Sequence, residues 1–162
     1  MPTEQKTLSA DEANARLPLV RVIVRDALAT HAELSDRRER FTDLRSHRRR
    51  AGGRGPRAER YRDEIEDLES EIESLTQVFG RFEEELSEID AVLVDPVEGV
   101  VEFRGRFEGS IPDRIVDDAV VWLVWVDGDE RIAFWRPLES DRDTRYALEP
   151  EGVEPAGPLT GE

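Results

Sequence analysis

Ala58–Ile89 reads AERYRDEIEDLESEIESLTQVFGRFEEELSEI. Its apolar residues are Ala58, Tyr61, Ile65, Leu68, Ile72, Leu75, Phe79, Phe82, Leu86 and Ile89, spaced alternately by three and four. That repeat places all of them on one face of a helix for more than four heptads, the pattern of a coiled-coil seam. Each seam residue gains roughly 1.5–3 kcal/mol on full burial, which outweighs the cost of about 1 kcal/mol for Gly80 inside a helix. The acidic runs between seam positions form a solvated face.

The seam needs a partner, and the preceding segment supplies one. Pro18–Arg50 carries Val20, Ile23, Val24, Ala27, Leu34, Phe41 and Leu44 at ragged helical spacing, interrupted by Thr30, His31 and Arg37. Between the two lies Arg45–Arg57, RSHRRRAGGRGPR, whose Gly and Pro residues stop one helix and start the next. The spacing predicts an antiparallel hairpin of helices over 18–50 and 57–90, each about 50 Å long. Upstream, Ser9-Ala10-Asp11-Glu12 fits a capping box, and Pro18 predicts a break that leaves 9–17 as a separate short helix.

From Ala91 the periodicity becomes two. Val92–Asp95 and Gly99–Arg104 form a predicted hairpin, and Ala119–Val126 with Arg131–Arg136 a second across Asp127-Gly128-Asp129-Glu130. Gly105–Asp118, GRFEGSIPDRIVDD, reads as a loop with a helical turn after Pro112. The expected fold is α+β: a long antiparallel helical hairpin followed by an antiparallel sheet of about four strands over 91–137. It makes one domain over 9–148, with residues 1–8 and the acidic, Pro- and Gly-rich stretch 149–162 disordered.

The strand Ala119–Val126 raises a question of cover. Val121, Leu123 and Trp125 face one side, and Val120, Trp122, Val124 and Val126 the other, so both faces are apolar. The helices cover one. A partner subunit, a ligand or the chain's own loops must cover the second, and we expect a homodimer.

The 162 residues carry a formal charge of −15 and no cysteine. Disulfides, thiolate metal sites and thiol nucleophiles are thereby excluded. No run of about 18 apolar residues offers a membrane span, and the first residues have no apolar core of a secretory signal. A cytoplasmic setting is expected. The charge is polarised: from Asp36 to Arg62 there are eleven arginines against four acids. General attraction to nucleic acid is disfavoured by the net acidity, but Arg48, Arg49, Arg50, Arg54 and Arg57 at the hairpin tip are candidates for a local contact.

No phosphate loop, His-Glu helix motif or serine with a histidine base occurs. His31 lies in the ragged seam and His47 at the tip, both with structural readings. We expect no catalytic residues, metal or cofactor. Glu12 and Asn14 before Pro18, with Glu102, Trp125, Trp135 and Arg136 from the sheet, form the candidate ligand-binding constellation. Each has a plain structural role: Glu12 in the cap, the tryptophans in the core, Arg136 paired with Glu102 or Glu12.

Three stretches, EANARLPLV (Glu12–Val20), GVVEF (Gly99–Phe103) and VWLVW with ERIAFWRPLE (Val121–Glu139), resemble the bacterial domain-of-unknown-function family 2203. The resemblance covers roughly residues 7–140. It implies the same hairpin-plus-sheet layout and supplies no activity. Where the family pattern has Tyr-Trp-His, this chain has Phe134-Trp135-Arg136, and a guanidinium is neither a metal ligand nor a general base. The most economical function is a non-catalytic homo-oligomeric assembly or protein-interaction module. Small-anion or metabolite binding at the junction of helix break and sheet is the first alternative, nucleic-acid contact at the tip the second.

Overall fold

A computed structural model of the chain describes residues 6–52, 54–111 and 114–148. Two helices, α1 (Ala10–Arg50) and α2 (Pro56–Glu88), pack along each other. Three cross-helix contacts mark their antiparallel register: the His31 and Phe79 rings 5.8 Å apart, the Arg37–Glu71 ion pair, and the His47 and Tyr61 rings 6.2 Å apart. Five strands follow, β1 (Ala91–Asp95), β2 (Val100–Ile111), β3 (Arg114–Val126), β4 (Phe134–Pro137) and β5 (Tyr146–Ala147). They form an antiparallel sheet in chain order.

The expected break before Pro18 is absent. α1 runs unbroken for 41 residues, about 60 Å, with Pro18 on its exposed side. A proline inside a helix costs about 3 kcal/mol. Leu17, Val20, Ile23 and Val24 are all buried on the face that a straight helix keeps continuous, and each contributes about 1.5–3 kcal/mol. Packing outweighs the proline. The capping box at Ser9 is as expected, with Ser9 Oγ accepting from the Glu12 amide at 3.1 Å and Glu12 Oε1 from the Ser9 amide at 3.2 Å.

The loop expected over Gly105–Asp118 is also corrected. β2 runs to Ile111 and β3 starts at Arg114, paired as a long ribbon with Arg106 opposite Val120, Phe107 opposite Ala119 and, past a bulge, Gly109 opposite Val116. Pro112 and Asp113, at the expected helical turn, lie outside the described residues. Gly and acidic residues hid a period-two pattern in which Phe103, Gly105 and Phe107 share a face. β4 starts at Phe134, not Arg131, because the Ile132 amide is drawn to α1. β5 extends the sheet past 137.

Lys6–Leu8, placed with a disordered N-terminus, are tied down. The Leu8 amide donates to the Arg104 carbonyl at 2.9 Å, its own carbonyl accepts from the Arg106 amide at 3.0 Å, and its side chain is fully buried. Gly105 permits this approach. A Cβ there would meet Leu123 Cδ1 at 2.4 Å and the Leu8 carbonyl oxygen at 2.9 Å. Residues 1–5 and 149–162, expected to be disordered, lie outside the described residues, as does Gly53 at the tip.

The core lies between the helices and one sheet face. Ala13, Leu17, Val20, Val24 and Leu86 meet Phe103, Leu123, Trp125 and Trp135 there. The rest of the hairpin projects as an arm. In it Leu34, Ala58, Ile65 and Leu68 are buried, while Phe41, Leu44, Ile72, Leu75 and Phe79 are only half-buried, because two helices alone enclose a seam only in part.

Candidate functional site

The six residues singled out from the sequence separate onto two sides of the sheet. On the helix side, Asn14 Oδ1 accepts from the Ile132 amide at 2.8 Å, and Trp125 Nε1 donates to the Asp129 carbonyl at 2.8 Å. Arg21 adds hydrogen bonds to the Asp129 and Glu130 carbonyls, the first at 3.2 Å. Together these three side chains clamp the β3–β4 turn against α1. Trp135 sits in the core, its ring 4.4 Å from Phe107 and 5.0 Å from Tyr146. Glu12 is exposed and held in the cap. Alternation along β2, β3 and β4 puts Glu102 and Arg136 on the opposite face, away from Asn14, Trp125 and Trp135.

On that second face Arg136 pairs with Glu102, not Glu12. Nε donates to Oε2 at 2.5 Å and Nη2 to Oε1 at 2.8 Å, and both side chains are buried. The bidentate geometry is the strong form of an Arg–carboxylate contact. The bond to Glu102 raises the Arg136 pKa further above the ordinary arginine value, against the opposing pull of burial. Arg136 Nη1 donates to the Ser140 carbonyl at 2.9 Å. The guanidinium is therefore engaged on all three nitrogens.

Between the two strands lies Trp122, with the Arg104 guanidinium 5.6 Å and that of Arg136 5.7 Å from its ring centroid. Arg104 and Trp122 were missed from the sequence, though the alternation that places Glu102 on this face places Arg104 there as well. The segment after β4 tethers over this face: Ser140 is held by Arg136, and Arg142 Nη1 reaches the Val94 carbonyl on β1 at 3.4 Å. Of the three covers considered for the second face, the chain's own loop supplies a part. Val92 stays half exposed.

At the tip, Arg48, Arg49 and Arg50 end α1, Arg54 lies in the loop and Arg57 begins α2. None of the five makes an ion pair with a described residue. An open groove of about 430 Å³ lies beside Arg21, Val22 and Arg25 at the β3–β4 turn. A larger one, about 610 Å³, runs between α1 and α2, with Arg37 and Arg40 on one wall and Glu64, Asp67 and Glu71 on the other. Among the described residues no group of three or more His, Cys, Asp or Glu is arranged to hold a metal ion. No described helix is long and apolar enough to cross a membrane.

Compared with known proteins, residues 6–148 match the family model DUF2203, described as an uncharacterized conserved protein. No curated protein and no solved structure matches the chain.

Proposed function

The chain belongs to the DUF2203 family of uncharacterized conserved proteins, and from that premise we propose that it is a non-catalytic homo-oligomeric assembly or protein-interaction module of the cytoplasm. The observation that carries this reading is the arm. It projects past the sheet with its seam half covered, and Leu19 and Val22 stand 52% and 48% exposed on the outer face of α1. Exposed apolar surface on an ordered helix favours association, because each apolar Å² removed from water contributes roughly 25 cal/mol. The buried ionisable pair, Glu102 and Arg136, is engaged in mutual neutralisation.

Size-exclusion chromatography with light scattering at micromolar concentration tests the reading. A mass of twice the chain is expected; a monomer throughout the range overturns it.

A second reading, contact with a polyanion at the tip, draws on the unpaired arginines. Retention on heparin at low ionic strength, lost steeply with salt, would support it. The acidic run that follows in α2 confines any such contact to the tip.

A further inference from the structure

One flank of α2 carries a second stripe, each residue immediately before a seam position: Arg57, Arg60, Glu64, Asp67, Glu71, Ser74, Val78, Arg81, Glu85 and Glu88. The spacing of three and four keeps the stripe on one side of the helix throughout. Its residues are exposed, apart from half-buried Glu64 and Val78. The charges read the same in both directions with the sign inverted. Turned end for end about the point between Ile72 and Glu73, Arg57 falls opposite Glu88, Arg60 opposite Glu85, and Glu64 opposite Arg81. Asp67 falls opposite Val78 and Glu71 opposite Ser74, so no two like charges meet along the stripe.

Most of these charges have no ion-pair partner among the described residues. Arg57, Arg60, Arg81, Glu64, Glu85 and Glu88 make no ion pair with any described residue. Glu71 is the exception; it accepts from Arg37 Nε at 2.7 Å, which neutralises an acid close to the centre of the stripe. The same flank opens onto the groove between α1 and α2.

We propose that this stripe is an isologous interface, in which α2 pairs antiparallel with α2 of a second copy. The two-fold axis passes between Ile72 and Glu73, and Arg57–Glu88, Arg60–Glu85 and Glu64–Arg81 pairs each form twice. A two-fold axis requires a self-complementary surface, which a sign-inverted palindrome supplies. Flanking charges of this kind set partner and orientation in paired helices. A parallel pairing would instead oppose each charge to its own kind. The inference rests on the homodimer reading above and specifies its surface and direction.

Charge reversal tests it in the full chain, with circular dichroism showing that each variant keeps its helices. Arg57→Glu/Arg60→Glu and Glu85→Arg/Glu88→Arg should each raise the dimer dissociation constant by about tenfold or more. The fourfold reversal restores all the pairs and should return the constant to near the wild-type value. Arg49→Glu/Arg54→Glu changes the net charge as much as the first variant and should leave dimerisation unaltered. In this cysteine-free chain, Ser74→Cys near the axis should be joined by a short bis-maleimide and Ser46→Cys at the tip should not. A wild-type dimer indifferent to the reversals, or a fourfold variant no tighter than the doubles, overturns this pairing alone. A wild-type monomer overturns it together with the homodimer reading, as does association that appears only when an oligonucleotide is added.

Discussion

Arg136 on β4 grips Glu102 on β2 across the intervening strand, through two hydrogen bonds of 2.5 and 2.8 Å. The pair fixes three strands relative to one another at one point of the sheet. It is buried, so removing either partner strands a charge in a low-dielectric site. Glu102→Ala is expected to lower stability by about 3–5 kcal/mol, whereas Glu102→Leu with Arg136→Met costs far less than the two single changes together. Urea denaturation of the four proteins in a double-mutant cycle measures the coupling. Because the Arg136 pKa is raised, its contribution is complete below the unfolded arginine value and is lost only as pH rises through the folded one. No loss from this group is expected between neutral and mildly alkaline pH.

Asp95 closes the β1–β2 turn, its Oδ1 accepting from the Val97 amide at 2.9 Å and the Glu98 amide at 3.0 Å. The Glu98 amide first, and the Val97 amide next, hold its carboxyl below the ordinary aspartate value. A lowered pKa contributes stability that is present above the unfolded carboxylate range and disappears as pH falls through the folded value. The stability difference between the wild type and Asp95→Ala should therefore be largest near neutrality and shrink in acid. A difference that stays constant from pH 7 down to pH 3 would contradict this.

Gly105 leaves room for the Leu8 backbone and the Leu123 side chain. Gly105→Ala forces a Cβ into both and should cost roughly 1–3 kcal/mol, the range for an overpacked core. Thermal unfolding reports the loss, and faster amide exchange at Leu8 and Arg106 would show that the edge contact has loosened.

Asn14→Ala removes the acceptor of the Ile132 amide. An unsatisfied buried donor costs about 1–3 kcal/mol. Exchange at the Ile132 amide should accelerate more than exchange within α1.

Pro18 deprives the Asn14 carbonyl of its helical donor. Pro18→Ala restores that donor on an exposed position and should stabilise the protein by about 1–3 kcal/mol, since proline costs about 3 kcal/mol in a helix interior. Denaturant midpoints check the sign; a loss of stability would mean that the proline has a packing role.

The helical hairpin was legible in the sequence because a repeat of three and four residues is a local property. Ala58–Ile89 carries it without reference to anything distant, and the Gly/Pro tip says where the chain turns. The capping box at Ser9 is local too. Arg136 could be assigned a carboxylate partner from its place in an apolar strand, with Glu102 one of two choices. Strand register was needed to decide, because only the pairing of β2, β3 and β4 brings residue 102 within reach of residue 136.

Where sequence reading fell short, long-range packing had overridden a local preference. Pro18 argues for a break, and a buried face shared by Leu17, Val20 and Val24 holds the helix straight. Gly105–Asp118 argues for a loop, and pairing across the sheet makes it a ribbon. The seam, the turns and the charge pattern of α2 are thus written in residue order. The continuity of α1, the extent of the sheet and the separation of Asn14 from Arg136 were decided only by tertiary contacts, whose energies depend on residues far apart in the chain.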